Sequence, residues 1–558
     1  MVSSSHYLAS QAGMRMFERG GTAVDAGVAA GVALNVIERH LTDFGGVAPV
    51  MVWRPGMGAP EVLDGVGRWP ASLDLATYRT RHGDDMPPGL PRSVAPAACD
   101  AWLTALARHG TMSLADILAP SIELCEKGFP VYADLRTAIA RLEAQLRKWP
   151  TTAAVFLPGG RVPEVGELLI QSDLAALFRR LIAAESSARS RGRAEAIVAA
   201  RDEFYRGSIS KEISTFMRAE GGAIDEADLA AQHITIDQPA HTTYRGIDVY
   251  ATGPWSQGPL VPMTLNLLEG YDVASAGSGS FEHLHHFAES MKLACADREA
   301  FFGDPEHVDV PLRGMLSKEY ANERRRLIRD DQAFAALPPP GDPFRHEGRS
   351  GPAGYVPPPR AGGGGPDTSY VCALDAAGNA FSATPSDAGL YAPLVPGLGI
   401  VVSHRGVQFW NEPGHPQAIA PRRRPRLTPN PAMLMSGGRV LMPFGCPGED
   451  AQCQAMVQVV CGVVDFGLNV QAAIELPRVI SRSFPSSFHP HGYHPGELHV
   501  EARIAPEVRG KLAAAGHRIV DLPAWANTTA MVCAVRRRPD GSLEGGADPR
   551  RESYAIGW

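Results

Sequence analysis

The sequence lacks the features of several protein classes. A formal net charge of -7 over 558 residues leaves no basic excess for a nucleic-acid or anionic-membrane partner. Its eight cysteines form no CxxC pair, and several lie in apolar runs, which predicts buried reduced thiols rather than disulfides or a metal cage. No apolar run is long enough to span a bilayer, and no signal peptide is visible. We therefore expect a cytoplasmic protein.

Common catalytic and ligand-binding motifs are also absent. There is no G-x-S-x-G elbow for a serine hydrolase, and the glycines at 362–365 are not followed by the Lys-Ser/Thr of a phosphate loop. His285 and Glu289 are one helical turn apart but have no third ligand nearby, so we expect no metal and no cofactor. The one dense basic run, residues 422–426, is expected to be a solvated loop.

Apolar periodicity alternates between helical and extended along the chain, which predicts layers of helix and sheet. It predicts helices over 8–19, 174–201, 281–302 and about 449–464. It predicts strands over 47–52, 62–63, 368–374, 380–384, 433–444 (a hairpin) and 529–535.

Proline and glycine dominate residues 337–367, which separate the first part, residues 1–336, from the last part, residues 368–558. Such a composition buries too little apolar surface to order itself, so we expect a mobile linker. Thr368 follows the linker directly and opens a predicted strand.

Two interpretations of this junction stay open from the pattern alone. The linker is either a plain tether before an ordinary strand residue, or a segment that is cut at its end. In the second case the Thr368 hydroxyl attacks the carbonyl of Asp367, and hydrolysis of the ester frees an α-amine on Thr368. The reference pKa of such an amine is about 7.7–8.0, which suits a general base near neutral pH.

Short motifs along the whole chain resemble the gamma-glutamyltransferase family. They lie at residues 4–6, 8–9, 11–13, 20–26, 244–246, 267–272, 296–298, 303–305, 368, 375, 378–380, 467–469 and 548–551. The resemblance implies an α+β fold, the four-layer αββα sandwich of N-terminal-nucleophile hydrolases. It also implies autoprocessing into a large and a small subunit that form one interleaved domain, and it leaves a homodimer of processed heterodimers open.

The resemblance also assigns roles to individual residues. Thr368 matches the nucleophile, and Ser386 matches a second hydroxyl that hydrogen-bonds it. Gly448 and Glu449 match a glycine pair whose N–H groups form the oxyanion hole. A carboxylate beside a developing oxyanion is unfavourable, so we expect the Glu449 side chain to point away.

The positions that bind a glutamyl donor depart from the family. Its carboxylate-binding Arg aligns with Val66, its Asn with Ala388, and its Ser-Ser pair with residues 427–428. Its ammonium-binding Asp falls within residues 406–410, which contain no carboxylate. An amino-acid zwitterion needs partners for both of its charges, so the sequence favours a non-glutamyl donor.

We therefore expect an amidohydrolase for a small-molecule amide, with water or an amine as acceptor, resembling the cephalosporin-acylase or oxamate-amidohydrolase branches. Arg68, Arg405, Gln408 and Thr428 are the candidates for binding the donor. Two alternatives remain: a true gamma-glutamyltransferase or glutathione hydrolase, and a non-catalytic homologue.

Overall fold

The protein is described by a computed structural model over residues 1–357, 360–362 and 368–558. Its strands are β1 Val2–Ser4, β2 Val50–Trp53, β3 Glu61–Leu63, β4 Phe129–Pro130, β5 Leu168–Leu169, β6 Ile236–Asp237, β7 Ala240–Tyr244, β8 Ile247–Ala251, β9 Val371–Leu374, β10 Ala380–Ala383, β11 Ala432–Ser436, β12 Arg439–Gly445, β13 Val479–Ser481, β14 Glu497–Glu501, β15 Arg518–Leu522, β16 Cys533–Arg537, β17 Leu543–Ala547 and β18 Tyr554–Ile556.

Its helices are α1 Tyr7–Glu18, α2 Ala23–Ile37, α3 Leu75–His82, α4 Ala98–His109, α5 Leu114–Lys127, α6 Ala133–Leu146, α7 Pro150–Phe156, α8 Ser172–Ser187, α9 Arg193–Arg206, α10 Ser208–Ala219, α11 Glu226–Ala231, α12 Leu260–Leu268, α13 Val273–Ala276, α14 Phe281–Phe301, α15 Leu312–Met315, α16 Lys318–Arg325, α17 Gln452–Val464, α18 Val470–Glu475 and α19 Pro506–Ala514.

Two antiparallel sheets form the centre of the molecule. The first has seven strands in the order β18-β1-β9-β10-β2-β3-β6, and the second has six in the order β17-β16-β12-β11-β8-β7. Strand β1 lies between β9 and β18, and β8 pairs with β11. Each central sheet therefore contains strands from before and after the linker, so the two parts of the chain are interleaved.

The alternation of side chains along β9 shows how the layers stack, because successive residues of a strand face opposite sides of its sheet. Val371 and Ala373 pack into a core built with helices α1, α2, α4, α5 and α8. Cys372 and Leu374 pack into a second core shared with Met433 of the six-stranded sheet. The other face of that sheet contacts α12, α14, α17 and α18. The predicted four-layer αββα sandwich is confirmed.

Helix α2 shows why small residues are needed where helix meets sheet. Its start is fixed by a capping box, in which Thr22 and Asp25 each accept the other's backbone N–H. Every residue of α2 is buried. A Cβ at Gly27 would overlap the ring of Phe381 on β10, and one at Gly31 would come within 2.6 Å of Trp102. The glycines thus let the helix lie close to its neighbours.

Several sequence-based boundaries are wrong for local reasons. The helix predicted over 174–201 is two helices, because the chain turns at Gly192, whose φ is 98°. The strand predicted from Thr368 begins at Val371; Thr368 itself makes a single isolated bridge. The predicted strand at 529 begins at Cys533, since a positive φ at Ala530 delays it. The helix predicted from about 449 begins as a 3-10 helix at Glu449–Ala451 and continues as α17 from Gln452.

The linker is only partly as predicted. Its described residues do not float free: Phe344 is buried against Phe301, with ring centroids 5.8 Å apart, and Arg360 pairs with Glu412 at 2.8 Å. The prediction of a mobile linker is therefore wrong at Phe344 and Arg360. Asp367, the residue predicted before the cleavage site, lies outside the described residues.

The basic run at 422–426 is also not the solvated loop expected. Arg424 is 2% exposed and pairs with Asp304 at 2.7 Å, and Arg426 is 1% exposed and pairs with Glu299 at 3.0 Å. These buried ion pairs fasten the loop to the body, because breaking one would leave an uncompensated buried charge.

Other expectations concern ligands and membranes. All eight cysteines are buried and free, as predicted. Across residues 1–357, 360–362 and 368–558, no three metal-ligating side chains come together. His285 instead hydrogen-bonds His517 at 3.0 Å, and Glu289 pairs with Lys292 at 2.7 Å. Within the same ranges, no helix has the length and apolarity to cross a membrane.

The contact between α2 and β10 gives a test of the layered packing. Gly27→Ala should lower the melting temperature by about 2 °C, because overpacking a core costs about 1–3 kcal/mol. Gly510 is a matched control: it is an exposed helical glycine with open space around its Cα, so Gly510→Ala should leave the melting temperature unchanged or raise it. Equal melting temperatures for Gly27→Ala and wild type, measured by circular dichroism, would contradict this packing.

Candidate active site

Thr368 is held at the start of the last part of the chain by its neighbours across the sheet. It is fully buried and forms an isolated antiparallel bridge with Ser386. The Ser386 hydroxyl donates to Thr368 Oγ1 at 3.0 Å, and the Ser369 N–H donates to the Pro385 carbonyl at 2.9 Å. The threonine hydroxyl is therefore positioned by main chain and side chain together.

Gln452, the first residue of α17, contacts the same hydroxyl. Its amide lies 3.2 Å from Thr368 Oγ1. With the amide oxygen facing Thr368, the amide nitrogen donates to the Thr428 carbonyl at 2.9 Å and the oxygen accepts the Thr368 hydroxyl at 3.2 Å. In this orientation Thr368 accepts from Ser386 and donates to Gln452.

A buried polar chain continues from Ser386. Arg405 is 0% exposed and donates to the Ser386 hydroxyl and, at 3.5 Å, to Gln408 Oε1. Gln408 in turn donates to Thr428 Oγ1 at 3.3 Å. A buried polar group that lacks a hydrogen-bond partner is destabilising. This series of hydrogen bonds therefore fixes the side chains around Thr368.

Gly448 and Glu449 form the turn that leads into α17 through a 3-10 helix at Glu449–Ala451. Gly448 has φ 127°, and a Cβ there would lie 2.5 Å from the Cβ of Ala530, so only glycine fits. Glu449 has φ 51°, and its carbonyl accepts Gln257 Nε2 at 2.9 Å. The first N–H groups of a helix have no partner within the helix, which makes this turn suited to hold a negative oxygen.

Asp387, next to Ser386, is a second residue with a positive φ, at 93°. Its carboxylate pairs with His404 at 2.8 Å and accepts the Ser403 hydroxyl. Non-glycine residues in this region are strained, and surrounding contacts must hold them there. The positive φ values at Asp387 and Glu449 occur at the two turns that bear Ser386 and Gly448.

A cavity of about 290 Å³ opens beside this turn. Gly448 and Glu449 form part of its wall, together with Arg141, Arg482 and Arg551. Glu449 thus borders this cavity, and the expectation that its side chain points away from an oxyanion stays a prediction. We call this space the arginine cavity.

The structure brings most of the predicted site residues together but separates Arg68. Thr368, Ser386, Arg405, Gln408 and Thr428 are joined by the hydrogen bonds above. Arg68 instead lies on a different cavity of about 360 Å³, where it pairs with Glu306 at 3.2 Å and contacts the His233 carbonyl.

The positions that replace the family's donor-binding residues are buried. Val66 belongs to the core between the two sheets, and Ala388 is fully buried.

Sequence reasoning missed Gln452 and Gln257. Gln452 contacts Thr368, and Gln257 Nε2 contacts the carbonyls of Thr428 and Glu449. One signal was present: Gln452, Gln454 and Gln458 lie in an otherwise apolar helix, and buried glutamines need specific hydrogen-bond partners. The pattern alone did not identify which partner each one has.

Comparison with known proteins identifies the family. Residues 9–558 match the family model described as gamma-glutamyltranspeptidase. The chain belongs to the gamma-glutamyltranspeptidase family.

Similar members of this family include acylases and glutathione hydrolases. The chain is 33% identical to an acylase ACY 1 proenzyme of Pseudomonas sp. (strain SE83), over 100% of this chain and 93% of the relative. It is 30% identical to the glutathione hydrolase-like YwrD proenzyme of Bacillus subtilis (strain 168), over 100% of this chain and 98% of the relative.

A solved structure shows the same likeness. The crystal structure of a cephalosporin acylase from Bacillus halodurans is 28% identical, with a TM-score of 0.85, covering 100% of this chain and 95% of that one. The present family member is thus an enzyme of the hydrolase and transpeptidase type.

The separation of Arg68 from Arg405 gives a test within this family member. Arg405→Gln should lower the melting temperature by about 2 °C, because Ser386 and Gln408 lose a buried charged donor. Arg68→Gln should change it by less than about 1 °C, since the Glu306 side chain with which it pairs is 48% exposed. Differential scanning fluorimetry measures both, and equal shifts for the two variants would contradict the assigned environments.

Proposed function

We propose that this chain is a self-cleaving amidohydrolase whose nucleophile is Thr368. The observation that carries the proposal is the buried Thr368 hydroxyl, which accepts from Ser386 and contacts Gln452 directly after the predicted scissile bond. The proenzyme names of the relatives support processing of one precursor into a large and a small subunit.

Maturation begins with attack of the Thr368 hydroxyl on the carbonyl carbon of Asp367. The C–N bond breaks, an ester forms between Asp367 and Thr368 Oγ1, and the nitrogen becomes the α-amine of Thr368. Water then hydrolyses the ester and frees both chain ends. The fragments are residues 1–367 and 368–558.

Turnover uses the amine produced by that cut. The α-amine takes the proton of the Thr368 hydroxyl, which attacks the carbonyl of the amide substrate. The N–H groups of Gly448 and Glu449 hold the developing oxyanion. The leaving amine receives the proton, and water or an amine then takes the acyl group from Thr368.

Ser386 acts as the positioning partner of the nucleophile. Its hydroxyl donates to Thr368 Oγ1 and accepts from the buried Arg405 guanidinium. A hydroxyl that accepts a hydrogen bond from a charged group is itself a stronger hydrogen-bond donor, because consecutive hydrogen bonds polarise each other. Thr368 Oγ1 is thereby aimed while its proton stays available to the amine.

The donor is a small amide whose acyl group lacks the glutamyl ammonium. Gln408 and Thr428 occupy the region where the family places carboxylate and serine partners, and they hydrogen-bond each other. Arg405 and Arg68 were both candidates for a donor carboxylate, but only Arg405 adjoins Ser386. Residues 406–410 contain no carboxylate to pair with a donor ammonium, which disfavours a zwitterionic donor.

The alternative activity is glutathione hydrolysis. It is favoured by the likeness to the YwrD proenzyme, whose name describes it as glutathione hydrolase-like. The same nucleophile and oxyanion turn would serve, so only the donor separates the two activities. A non-catalytic role fits poorly, because Thr368 and Ser386 retain their hydrogen bond.

Cleavage is tested by electrophoresis under denaturing conditions. Wild type should give two fragments, with Thr368 as the new N-terminus by mass spectrometry, and Thr368→Ala should stay whole because it has no hydroxyl. Thr368→Ser is the matched control and should still cleave, since it keeps the hydroxyl. A wild-type chain that hydrolyses amides while remaining uncut would refute the proposal.

The donor is tested with a matched pair of anilides. Glutaryl p-nitroanilide and gamma-glutamyl p-nitroanilide differ only by the α-ammonium group. We expect kcat/KM to be at least about 100-fold lower for the gamma-glutamyl compound, because residues 406–410, where the family places the partner of the ammonium, contain no carboxylate. Absorbance of released p-nitroaniline measures both rates. Preference for the gamma-glutamyl compound would establish the alternative activity instead.

A further inference from the structure

The linker contacts the last part of the chain before it reaches the proposed cleavage site. The Tyr355 ring lies 4.6 Å from the ring of His415, and Arg360 pairs with Glu412 at 2.8 Å. The Arg360 guanidinium also lies over the ring of Trp410, 5.3 Å from its centroid. We call Trp410, Glu412 and His415 the linker-binding surface. Because this surface and the linker come from different parts of the chain, the contact joins the two fragments of the proposed cut.

The linker-binding surface has a rigid aromatic centre. Trp410 is fully buried and lies between two nearly parallel imidazole rings, with centroid distances of 4.0 Å to His415 and 3.9 Å to His491. Burial lowers the pKa of His415 to about 4 and the pKa of His491 to about 3, so both rings are neutral at neutral pH. The Trp410 N–H donates to the Gln417 carbonyl at 2.8 Å, which fixes the main chain as well. The linker therefore meets a surface that is held in one arrangement.

Tyr355 is fixed where the linker arrives at this surface. Its ring meets the ring of His415 at an interplanar angle of 70°, an edge-to-face arrangement that aromatic pairs prefer. The preceding residue, Gly354, lies against α14, where a Cβ would come within 2.7 Å of Ala300 and 3.0 Å of Phe301. A residue larger than glycine at 354 would push the linker away from α14, so the chain is closely packed at this point.

Arg360 is held by both its side chain and its main chain. Its guanidinium donates to Glu412, and its carbonyl accepts the Tyr493 N–H at 2.9 Å. The side chains of Arg360 and Glu412 are 29% and 28% exposed, so their attraction is less screened than that of a fully exposed pair. The position of the cation over the Trp410 ring adds to this attraction.

The place of Arg360 in the sequence relates this contact to the proposed maturation. Seven residues, 361–367, lie between Arg360 and Thr368, whereas 23 residues, 345–367, lie between the buried Phe344 and Thr368. An anchor closer to the scissile bond leaves the intervening chain fewer conformations, and loop entropy alone gives about a sixfold difference for these two lengths. A reaction between two groups of one chain is faster when unproductive conformations are removed.

We propose that Tyr355 and Arg360 are positioning residues for maturation, which bind the linker-binding surface in the uncut chain and thereby favour attack of the Thr368 hydroxyl on Asp367. This inference rests on the proposed function and deepens it, because it names what controls the first step. The bonds made and broken are those of the proposed cut: an ester forms at Thr368 Oγ1, and the C–N bond breaks. Tyr355 and Arg360 take no part in these bond changes.

Charge exchange tests the pair of Arg360 and Glu412. Arg360→Glu and Glu412→Arg should each slow cleavage about 3- to 10-fold, because like charges then face each other and the anchor is lost. The double exchange, Arg360→Glu with Glu412→Arg, should restore the rate to within about twofold of wild type, since it rebuilds the pair with the charges reversed. The rate is measured on full-length chain made by cell-free translation with labelled methionine and followed on denaturing gels after synthesis is stopped. Failure of the double exchange to restore the rate would overturn the proposal.

Tyr355 provides a second, uncharged test. Tyr355→Ala should slow cleavage about 3- to 10-fold as well, because it removes the ring that packs on His415. Tyr355→Phe is the matched control and should cleave at a rate within about twofold of wild type, since it keeps the ring. Equal rates for Tyr355→Ala and Tyr355→Phe would overturn the role of Tyr355.

Two controls separate positioning from a general effect on the fold. Arg345→Glu reverses the charge of another linker arginine, whose partner Glu323 at 2.9 Å precedes the linker, and it should leave the cleavage rate unchanged. Once fully cleaved, Arg360→Glu should hydrolyse glutaryl p-nitroanilide with kcat/KM within about twofold of wild type. A loss of turnover equal to the loss of cleavage rate would overturn the proposal, because it would show damage to the whole site.

The inference and the function on which it rests fail in different ways. A wild-type chain that cleaves, together with an Arg360→Glu chain that cleaves equally fast, would overturn the positioning role alone. A wild-type chain that never cleaves while it hydrolyses amides would refute the proposed function, and this inference with it.

Discussion

The hydrogen bond from Ser386 to Thr368 is the contact on which the candidate site depends. It joins the first residue after the linker to the turn that follows β10, and β10 lies beside β9 in the seven-stranded sheet. Because both residues are fully buried, the bond is shielded from water and holds one geometry. Gln452 and Arg405 are then arranged around it, each contacting one of its two hydroxyls.

The fold supports this bond from both sides. Alternating residues of β9 fill the two cores, so the strand that follows Thr368 is packed on each face. On one side α2 approaches closely because it carries glycines opposite Phe381. On the other, α17 begins with Gln452 at the hydroxyl and runs on through the core of the helical layer. Thr368 is thus positioned by β9, α2 and α17, each of which is held in place by its own packing in the cores.

Much of the fold and of the candidate site could be predicted from the sequence. The features that could not be predicted have identifiable physical reasons. Strong periodicity predicted α14 to within one residue, and the ordered motifs predicted the αββα layers. Periodicity could not reveal the break at Gly192, because a single residue with φ 98° ends one helical pattern and starts another. The dense positive charge at 422–426 predicted a solvated loop. The carboxylates that pair with the buried Arg424 and Arg426 are about 120 residues away in sequence, so no local pattern revealed them. The contact of Gln452 with Thr368 could not be predicted, because hydrogen-bond partners that are distant in sequence leave no local pattern.

The interleaving of the two parts of the chain affects how the cleaved protein can refold after denaturation. The intact precursor folds as one chain, so strand β1 finds β9 and β18 at a concentration set by the connecting polypeptide. After the proposed cut, neither fragment holds a complete central sheet. A denatured mature molecule must then reassemble from two chains, in a second-order process that competes with aggregation. The lifetime of the native cleaved protein is therefore set by its rate of unfolding, and not by a reversible folding equilibrium.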